Sequence, residues 1–480
     1  MTEPTLRDKT AKGLFWGGIG NGVQQVLVLI FGIFFARILD ENDYGLVGML
    51  SIFTAIGAAI MDSGFTMALI NRKGFKHEDY NSVFWFSLTA GTGMYIILFF
   101  CAPLIADFFD EPELTNLSRV LFLWILLGST GVAHNAVLLK KLMVKERAKI
   151  DITAITISQI IGIILAIKGF GYWALVYQTV LYALIGNILR WYYSGWRPSL
   201  SFHIQPLKEM LPFSIKILAT GIFTQINLKI ISVLLGRVYT KREVGFYTQG
   251  DKWATIGYGL LGNILRGVAQ PILSEVSDNI DRQRHVFRKM LRFTAFISFP
   301  AMLGLALIAE EFIVITVTDK WLPSVPVLQL MCIMGAVNPI SSLYSHLVIT
   351  HGKSNIQLFN TIAMGAVQII AILCTLPFGL YYMVMAFVVV NILWVFIWHY
   401  FAWKHIKITL FQAGKDIMPY LLTASGAMVI TYFVTLSIDN IYLLLGAKVI
   451  IVAALYSLVM WLSNSVIFRE SIYYLFRRKK

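Results

Sequence analysis

The chain has 480 residues, 57% of them hydrophobic and only 14% charged, and its mean hydropathy is +0.70. Soluble proteins carry about a quarter charged residues, so this composition argues against a soluble enzyme and for a polytopic helical membrane protein. The net charge of +14 would suit a nucleic-acid partner, but the basic residues lie between hydrophobic runs rather than in one surface patch.

Apolar runs of about 20 residues predict about fourteen spans. In chain order they fall near 14–36, 44–70, 82–105, 116–139, 150–167, 172–192 and 211–236. The series continues near 245–271, 293–312, 323–350, 355–376, 380–402, 417–437 and 441–465. The polar start Thr2 to Thr10 runs into the first apolar helix without a small-residue cleavage site, so no cleavable signal is expected. Cys101, Cys332 and Cys374 lie inside apolar runs and read as packing residues, implying neither a disulfide nor a metal.

Alternate connections are basic, from Arg7, Lys9 and Lys12 through Lys140, Lys141, Lys145, Arg147 and Lys149 to the tail Arg477, Arg478, Lys479 and Lys480. The intervening ones are short and acidic or neutral, such as Asp40-Glu41-Asn42-Asp43 and Asp110-Glu111-Pro112-Glu113. The positive-inside rule then places both termini in the cytoplasm and requires an even number of spans. Loop 237–243, with Arg237, Lys241 and Arg242, is the main exception. The long basic connections 193–210, 272–292 and 403–416 are expected to carry short amphipathic helices on the inner leaflet.

A weak internal repeat runs through the chain. Phe35-Ala36-Arg37-Ile38-Leu39 with Tyr44-Gly45-Leu46 reappears as Leu235-Gly236-Arg237-Val238-Tyr239 with Val244-Gly245-Phe246. Leu104-Ile105-Ala106 is echoed by Leu307-Ile308-Ala309, Val120-Leu121 by Val327-Leu328, and Gln159-Ile160-Ile161 by Gln368-Ile369-Ile370. The offset grows in order along the chain, as a duplicated unit with small insertions requires. The expectation is an all-α fold with two six-helix lobes, 1–200 and 201–408, related by a parallel repeat. Residues 409–480 would add two further helices and a basic cytoplasmic tail. Such a duplication in a membrane points to transport by alternating access, and no connection is long enough for a catalytic domain.

Basic residues in or at the edges of spans are Arg119, Lys216, Lys229, Lys252, Arg266 and Lys448, four of them on spans seven and eight. Each costs roughly 2.5–3.5 kcal/mol near the bilayer centre unless it faces water or a partner. These two spans are therefore expected to line a hydrated, cationic cavity. Lys252, Gly259, Asn263 and Arg266 fall on one face of span eight, and Lys252 and Arg266 are about 21 Å apart along the axis. Gln225 and Lys229 share a face of span seven at i, i+4 spacing. Span one offers an uncharged polar stripe with Asn21 and Gln24, and Gln25 is the repeat counterpart of Gln225. The alternatives are structural: Lys216 and Arg266 snorkelling, Lys252 paired with Asp251, and Asp62 serving helix packing. His134 and His346 read as interior histidines rather than ligands.

The motifs Arg37-x7-Gly45 and Arg237-x7-Gly245, the run Asp62-Ser63-Gly64-Phe65-Thr66 to Asn71-Arg72-Lys73, and Gly245-Phe246-Tyr247 resemble bacterial polysaccharide transporters. These are the lipopolysaccharide and exopolysaccharide repeat-unit flippases of the multidrug/oligosaccharidyl-lipid/polysaccharide exporter superfamily. The resemblance covers nearly the whole chain. It implies fourteen helices in two six-helix lobes plus two, and movement of undecaprenyl-diphosphate-linked oligosaccharides from the inner to the outer leaflet of the cytoplasmic membrane. It also implies basic residues in a central cavity, with Lys229, Lys252 and Arg266 the counterparts by position.

The substrate-binding candidates are thus Lys229, Lys252 and Arg266 for diphosphate or acidic sugar, and Gln225, Asn263, Asn21, Gln24 and Gln25 for the glycan. Asp62 and Asp251 are candidates for ion coupling; proton, sodium, membrane potential and mass action all remain open as driving force. No catalytic residue, cofactor or metal is expected. Expected partners are the lipid-linked oligosaccharide, membrane lipids, and a polysaccharide polymerase and glycosyltransferases. Rival readings are a cation-coupled multidrug exporter, which favours buried carboxylates, and a peptidoglycan-precursor flippase, which shares the lipid diphosphate. A membrane glycan polymerase or glycosyltransferase would want a sizeable outer loop or paired reactive carboxylates.

Overall fold

A computed structural model describes residues 6–61, 66, 69 and 76–476. No strand occurs among them. Two compact units divide the chain, Met1–Gly245 and Phe246–Lys480. The first contains α1 (Leu6–Ile38), α2 (Glu41–Met49), α3 (Ser51–Met61), α4 (His77–Phe109), α5 (Leu114–Leu121), α6 (Leu123–Ser129) and α7 (Val132–Lys140). It continues with α8 (Val144–Ile167), α9 (Tyr172–Ser194) and α10 (Ile204–Val238), and ends in the first turns of α11 (Lys241–Glu275). The second unit holds the remainder of α11, then α12 (Ile280–Leu307), α13 (Ala309–Val317), α14 (Val325–Thr350) and α15 (Ser354–Thr375). After these come α16 (Leu380–Ile406), α17 (Leu410–Val434), α18 (Ile441–Leu462) and α19 (Val466–Phe476).

Eleven helices among the described residues are long and apolar enough to cross a membrane, and two bent pairs raise the number to thirteen. The pairs are α2 with α3, bent by 46°, and α5–α6 with α7, bent by 43°. The fourteen expected crossings also need α11, which has 35 residues but too many polar ones to pass the same test. At 1.5 Å per residue α11 is about 52 Å long, more than enough for a bilayer.

The two corners of the repeated motif adopt the same local structure. Asp40 starts α2 with a capping box: Asp43 N donates to Asp40 Oδ1 at 2.9 Å and Asp40 N to Asp43 Oδ2 at 3.2 Å. Two hundred positions on, Glu243 N donates to Thr240 Oγ1 at 3.3 Å and Thr240 N to Glu243 Oε2 at 3.1 Å. The preceding helices close alike, Leu39 N on Phe35 O and Tyr239 N on Leu235 O, each at 2.8 Å. Reciprocal caps satisfy otherwise orphaned backbone donors, which is why the chain turns at both places.

Within the first unit α1 packs on α8, α8 on α9, and α10 on α3 and α4. Small residues set these approaches: a Cβ at Gly20 would lie 2.7 Å from Ala148 Cβ, and one at Gly162 would lie 2.7 Å from the Phe35 ring. In the second unit α12 packs on α14 and α17, α14 on α16, and α17 on α18. Gly250 lets α11 meet Val327 of α14, and Gly335 admits Met302 and Tyr258. Trp321, Phe287, Tyr344 and Phe387 are fully buried there. Each large aromatic burial contributes a few kcal/mol.

The basic connections differ from expectation. Residues 204–210, 280–292 and 410–416 form no separate surface helices; they are the opening turns of α10, α12 and α17. Residues 195–203 run without helix and are clipped to the start of α4, where Ser199 N donates to Asn81 Oδ1 at 2.8 Å and Trp85 Nε1 to Ser199 O at 2.7 Å. A helix that continues past the membrane leaves fewer orphaned backbone groups than a separate surface helix with its own two ends.

Candidate functional site

The polar residues of α10 and α11 are the starting point. On α10, Gln225 and Lys229 are one turn apart and both half-buried. The helix lies against α3, with the Gly221 position about one van der Waals contact from Ala59: a Cβ there would sit 3.6 Å from the Ala59 Cβ. On α11, Lys252 is half-buried, its Nζ 5.2 Å from the Trp253 ring centroid. That distance is within cation–π range. Thr255 Oγ1 donates to Asp251 Oδ1 at 3.3 Å and lies 2.9 Å from Tyr258 OH, so the phenol donates to the threonine. Asp251 thus ends a hydroxyl chain at i, i+4, i+7, while Lys252 leaves the helix about 100° away. Gln249, one turn before Lys252, is fully buried, and its amide has no partner among the described residues. A buried amide lacking partners costs about 1–3 kcal/mol, and nothing in the one-dimensional pattern distinguished it from a core glutamine.

Lys229 belongs to the first unit and Lys252 to the second. On α1, Asn21 is exposed and Gln24 and Gln25 are half-buried. The backbone of Asn263 and Arg266 is helical, their side chains are outside the described set, and Asp62 lies outside the described residues.

Other basic residues near the spans are engaged elsewhere. Lys448 pairs with buried Glu311 and donates to Leu307 O at 3.4 Å, joining α18 to α13 and the end of α12. Arg119 donates to Phe99 O at 3.4 Å, with its guanidinium 4.6 Å from the Phe99 ring centroid. Arg288, expected in a connection, grips buried Asp416 through two hydrogen bonds of 2.6 and 3.1 Å, which seats α17 on α12. Arg190, near the end of the predicted span 172–192, faces Asp151 at 3.4 Å and Asn187 Oδ1 at 3.1 Å inside the first unit. The available signal was position alone, since Arg190 falls two residues inside the predicted span 172–192 and Asp151 inside 150–167.

The exceptional loop 237–243 has an explanation in pairing. Arg237 meets Asp110, Lys241 meets Glu111 at 3.1 Å, and Arg242 meets Glu41 at 3.5 Å. Its basic residues neutralise acidic ones in the adjacent connections of the first unit, so their charge carries little topological weight. Among the described residues no group of three or more His, Cys, Asp or Glu is placed to hold a metal ion.

The family model described as "Polysaccharide biosynthesis protein" matches residues 34–326, more than half of the sequence. The chain belongs to this polysaccharide biosynthesis family. Curated relatives agree. The lipopolysaccharide biosynthesis protein WzxC of Escherichia coli (strain K12) is 26% identical over 71% of this chain and 70% of its own length. The teichuronic acid biosynthesis protein TuaB of Bacillus subtilis (strain 168) is 23% identical over 91% of each chain. The succinoglycan biosynthesis transport protein ExoT of Rhizobium meliloti (strain 1021) is 25% identical over 72% of this chain and 70% of its own. Among solved structures, the lipid II flippase MurJ in an inward closed conformation superposes with a TM-score of 0.75. It covers 96% of this chain and 99% of its own at 16% identity. An inward-facing multidrug resistance MATE transporter superposes with a TM-score of 0.64, covering 80% and 94% at 15% identity. These likenesses show the fold. This member of the polysaccharide biosynthesis family is a multi-pass helical protein, with eleven to thirteen candidate membrane spans among the described residues.

Proposed function

We propose that the protein flips undecaprenyl-diphosphate-linked oligosaccharide repeat units across the bacterial cytoplasmic membrane for lipopolysaccharide or exopolysaccharide synthesis. The observation that carries this reading is α11, a membrane-length helix more polar than the eleven that pass as spans by length and composition. A segment of that kind belongs against water or a polar cargo. Membership of the polysaccharide biosynthesis family supports a polysaccharide precursor as the cargo.

The cargo has an anionic diphosphate, a bulky polar glycan and an apolar tail. In this reading two six-helix lobes, 1–200 and 201–408, alternate access to one hydrated interior, and 409–480 is appended. Lys229, Lys252 and Arg266 replace phosphate hydration with positive charge. Asn21, Gln24, Gln25, Gln225 and Asn263 offer hydrogen bonds to sugar hydroxyls. Asp251, tied to Thr255, and Asp62 are the candidates for coupling to an ion gradient. Both termini face the cytoplasm, and the acidic connections 40–43 and 110–113 face outward. Basic cavity candidates count against export of cationic drugs.

The test is translocation in proteoliposomes holding purified protein and the lipid-linked repeat unit that the host accumulates when this gene is deleted. Protein-dependent appearance of the glycan on the opposite leaflet supports the reading. Absence of translocation under proton, sodium and potential gradients alike sinks it.

A further inference from the structure

A cavity of about 210 Å³, with a lining of mixed apolar and polar side chains, lies wholly within the first unit, at the break in the predicted fourth span. We propose that it seats one sugar ring of the carried glycan. This rests on the flippase reading and assigns the glycan a binding place that the cationic candidates of α10 and α11 do not provide.

The cavity exists because of the sequence around the break. Trp124, Gly128, Gly131 and Asn135 recur at i, i+4, i+7 and i+11, so they form one stripe along α6 and α7. A Cβ at Gly131 would run into Asn187 Oδ1, and one at Gly128 would lie 2.5 Å from Met61 Sδ. The two glycines let Asn187 and Met61 close in on the broken helix and form the cavity wall. Opposite stand Tyr182, Asn187 and Arg190 on one side of α9.

Breaking a helix at membrane depth frees backbone carbonyls, which must be satisfied internally. Asn187 Nδ2 donates to Leu127 O at 2.6 Å and Trp191 Nε1 to Thr130 O at 3.1 Å. Asn187 Oδ1 in turn accepts from Arg190, which faces Asp151. The α9 wall is therefore fixed before any ligand arrives. Discontinuous helices held this way mark binding sites in transporters.

The lining chemistry selects the ligand. Arg190 is offset by Asp151, so no charge surplus is available for a diphosphate. The other polar groups are neutral amides and hydroxyls, of Asn135, Asn187, Tyr182 and Thr66. Trp124 adds an aromatic body, and its buried indole N–H has no acceptor among the described residues. A pyranose offers what this wall lacks: hydroxyl acceptors and donors around an apolar C–H face. The volume is below the ~300–1,000 Å³ of sites enclosing drug-sized ligands, which limits occupancy to about one ring.

The experiment measures binding of two lipids to purified full-length protein: undecaprenyl diphosphate, and the lipid-linked repeat unit accumulated by the host lacking this gene. Trp124→Phe keeps the ring and removes the N–H; Asn135→Ala removes an amide. Each is expected to weaken glycolipid binding about tenfold, the order of one buried hydrogen bond, and to leave undecaprenyl diphosphate binding unchanged. Circular dichroism of each variant guards against misfolding, and Asn135→Gln should partly restore affinity. Wild-type affinity for the glycolipid in both variants overturns the sugar pocket, as does equal weakening for both lipids in folded protein. A wild-type protein that binds neither lipid overturns the flippase reading itself.

Discussion

Gly45 and Gly245 each press against the start of the other's helix: a Cβ on Gly45 would collide with the Lys241 carbonyl oxygen, and one on Gly245 with the Glu41 carbonyl oxygen. Both obstacles are backbone, so no side chain can move aside. The reciprocity joins two corners that share caps and lie two hundred residues apart. Gly45→Ala and Gly245→Ala are each expected to destabilise the protein by about 1–3 kcal/mol, the usual cost of overpacking. Thermal unfolding in detergent reads this, and an unchanged midpoint in both variants would show that the corners are not held together.

Around the same corner Lys241 lies between Glu111 at 3.1 Å and Glu113 at 3.9 Å. Burial works against its charge, but the hydrogen bond and charge of Glu111, with Glu113 and Tyr172, raise the ammonium pKa above its ordinary value of 10.5. A raised pKa stabilises the fold below 10.5, and that contribution disappears only as pH rises through the folded value. Neutral-range pH should leave the contact intact. Lys241→Glu should lower the melting midpoint, and adding Glu111→Lys should recover part of it; equal midpoints for single and double variants would remove the pair from the account.

Lys448 and Glu311 make a buried pair, with 9% and 6% side-chain exposure. Lys448→Met alone strands a buried carboxylate and should cost about 3–5 kcal/mol. Replacing both by Met removes the desolvation cost together with the attraction, so the double variant should recover most of the loss. Comparing the four proteins by thermal unfolding gives the coupling, and additive losses would contradict it.

The assignment of cargo-binding cations is checked by Lys229→Gln and Lys252→Gln. Each should lower export about tenfold, or ~1.4 kcal/mol, through loss of a charge-assisted contact to phosphate. The double variant should abolish export at near-normal membrane abundance. Retained export in the double variant would take both lysines out of the mechanism.

Acid should loosen the second unit at His351. Its ring stacks on His405 with centroids 4.6 Å apart and a 12° interplanar angle, and its Nε2 lies 3.1 Å from Gln283 Oε1. Because Gln283 Nε2 donates to Leu273 O, its Oε1 accepts from the histidine, which fixes the neutral tautomer. Burial lowers the His351 pKa from its ordinary 6.5. The stabilising preference for the neutral ring is complete above 6.5 and is lost as pH falls through the folded value. The melting midpoint should therefore drop below pH 6.5 in the native protein, and the drop should shrink in His351→Gln.

The sequence alone determined the solvent, the all-helical class and the polarity of the cavity candidates, because these are local or additive. Runs of apolar residues fix helices in lipid whatever they pack against, and capping residues such as Asp40 and Thr240 mark helix starts within one turn. Only tertiary structure decided which charges find partners. Lys448 and Glu311 are 137 residues apart, Arg288 and Asp416 128, and Arg190 and Asp151 39. Counted along the chain, Lys448 was an unexplained cation in a span and Arg288 was a connection charge. Packing placed their acidic partners within a few ångströms. The same packing bent two spans and hollowed the space beside Trp124, because a helix break and the side chains that repair it lie on different helices.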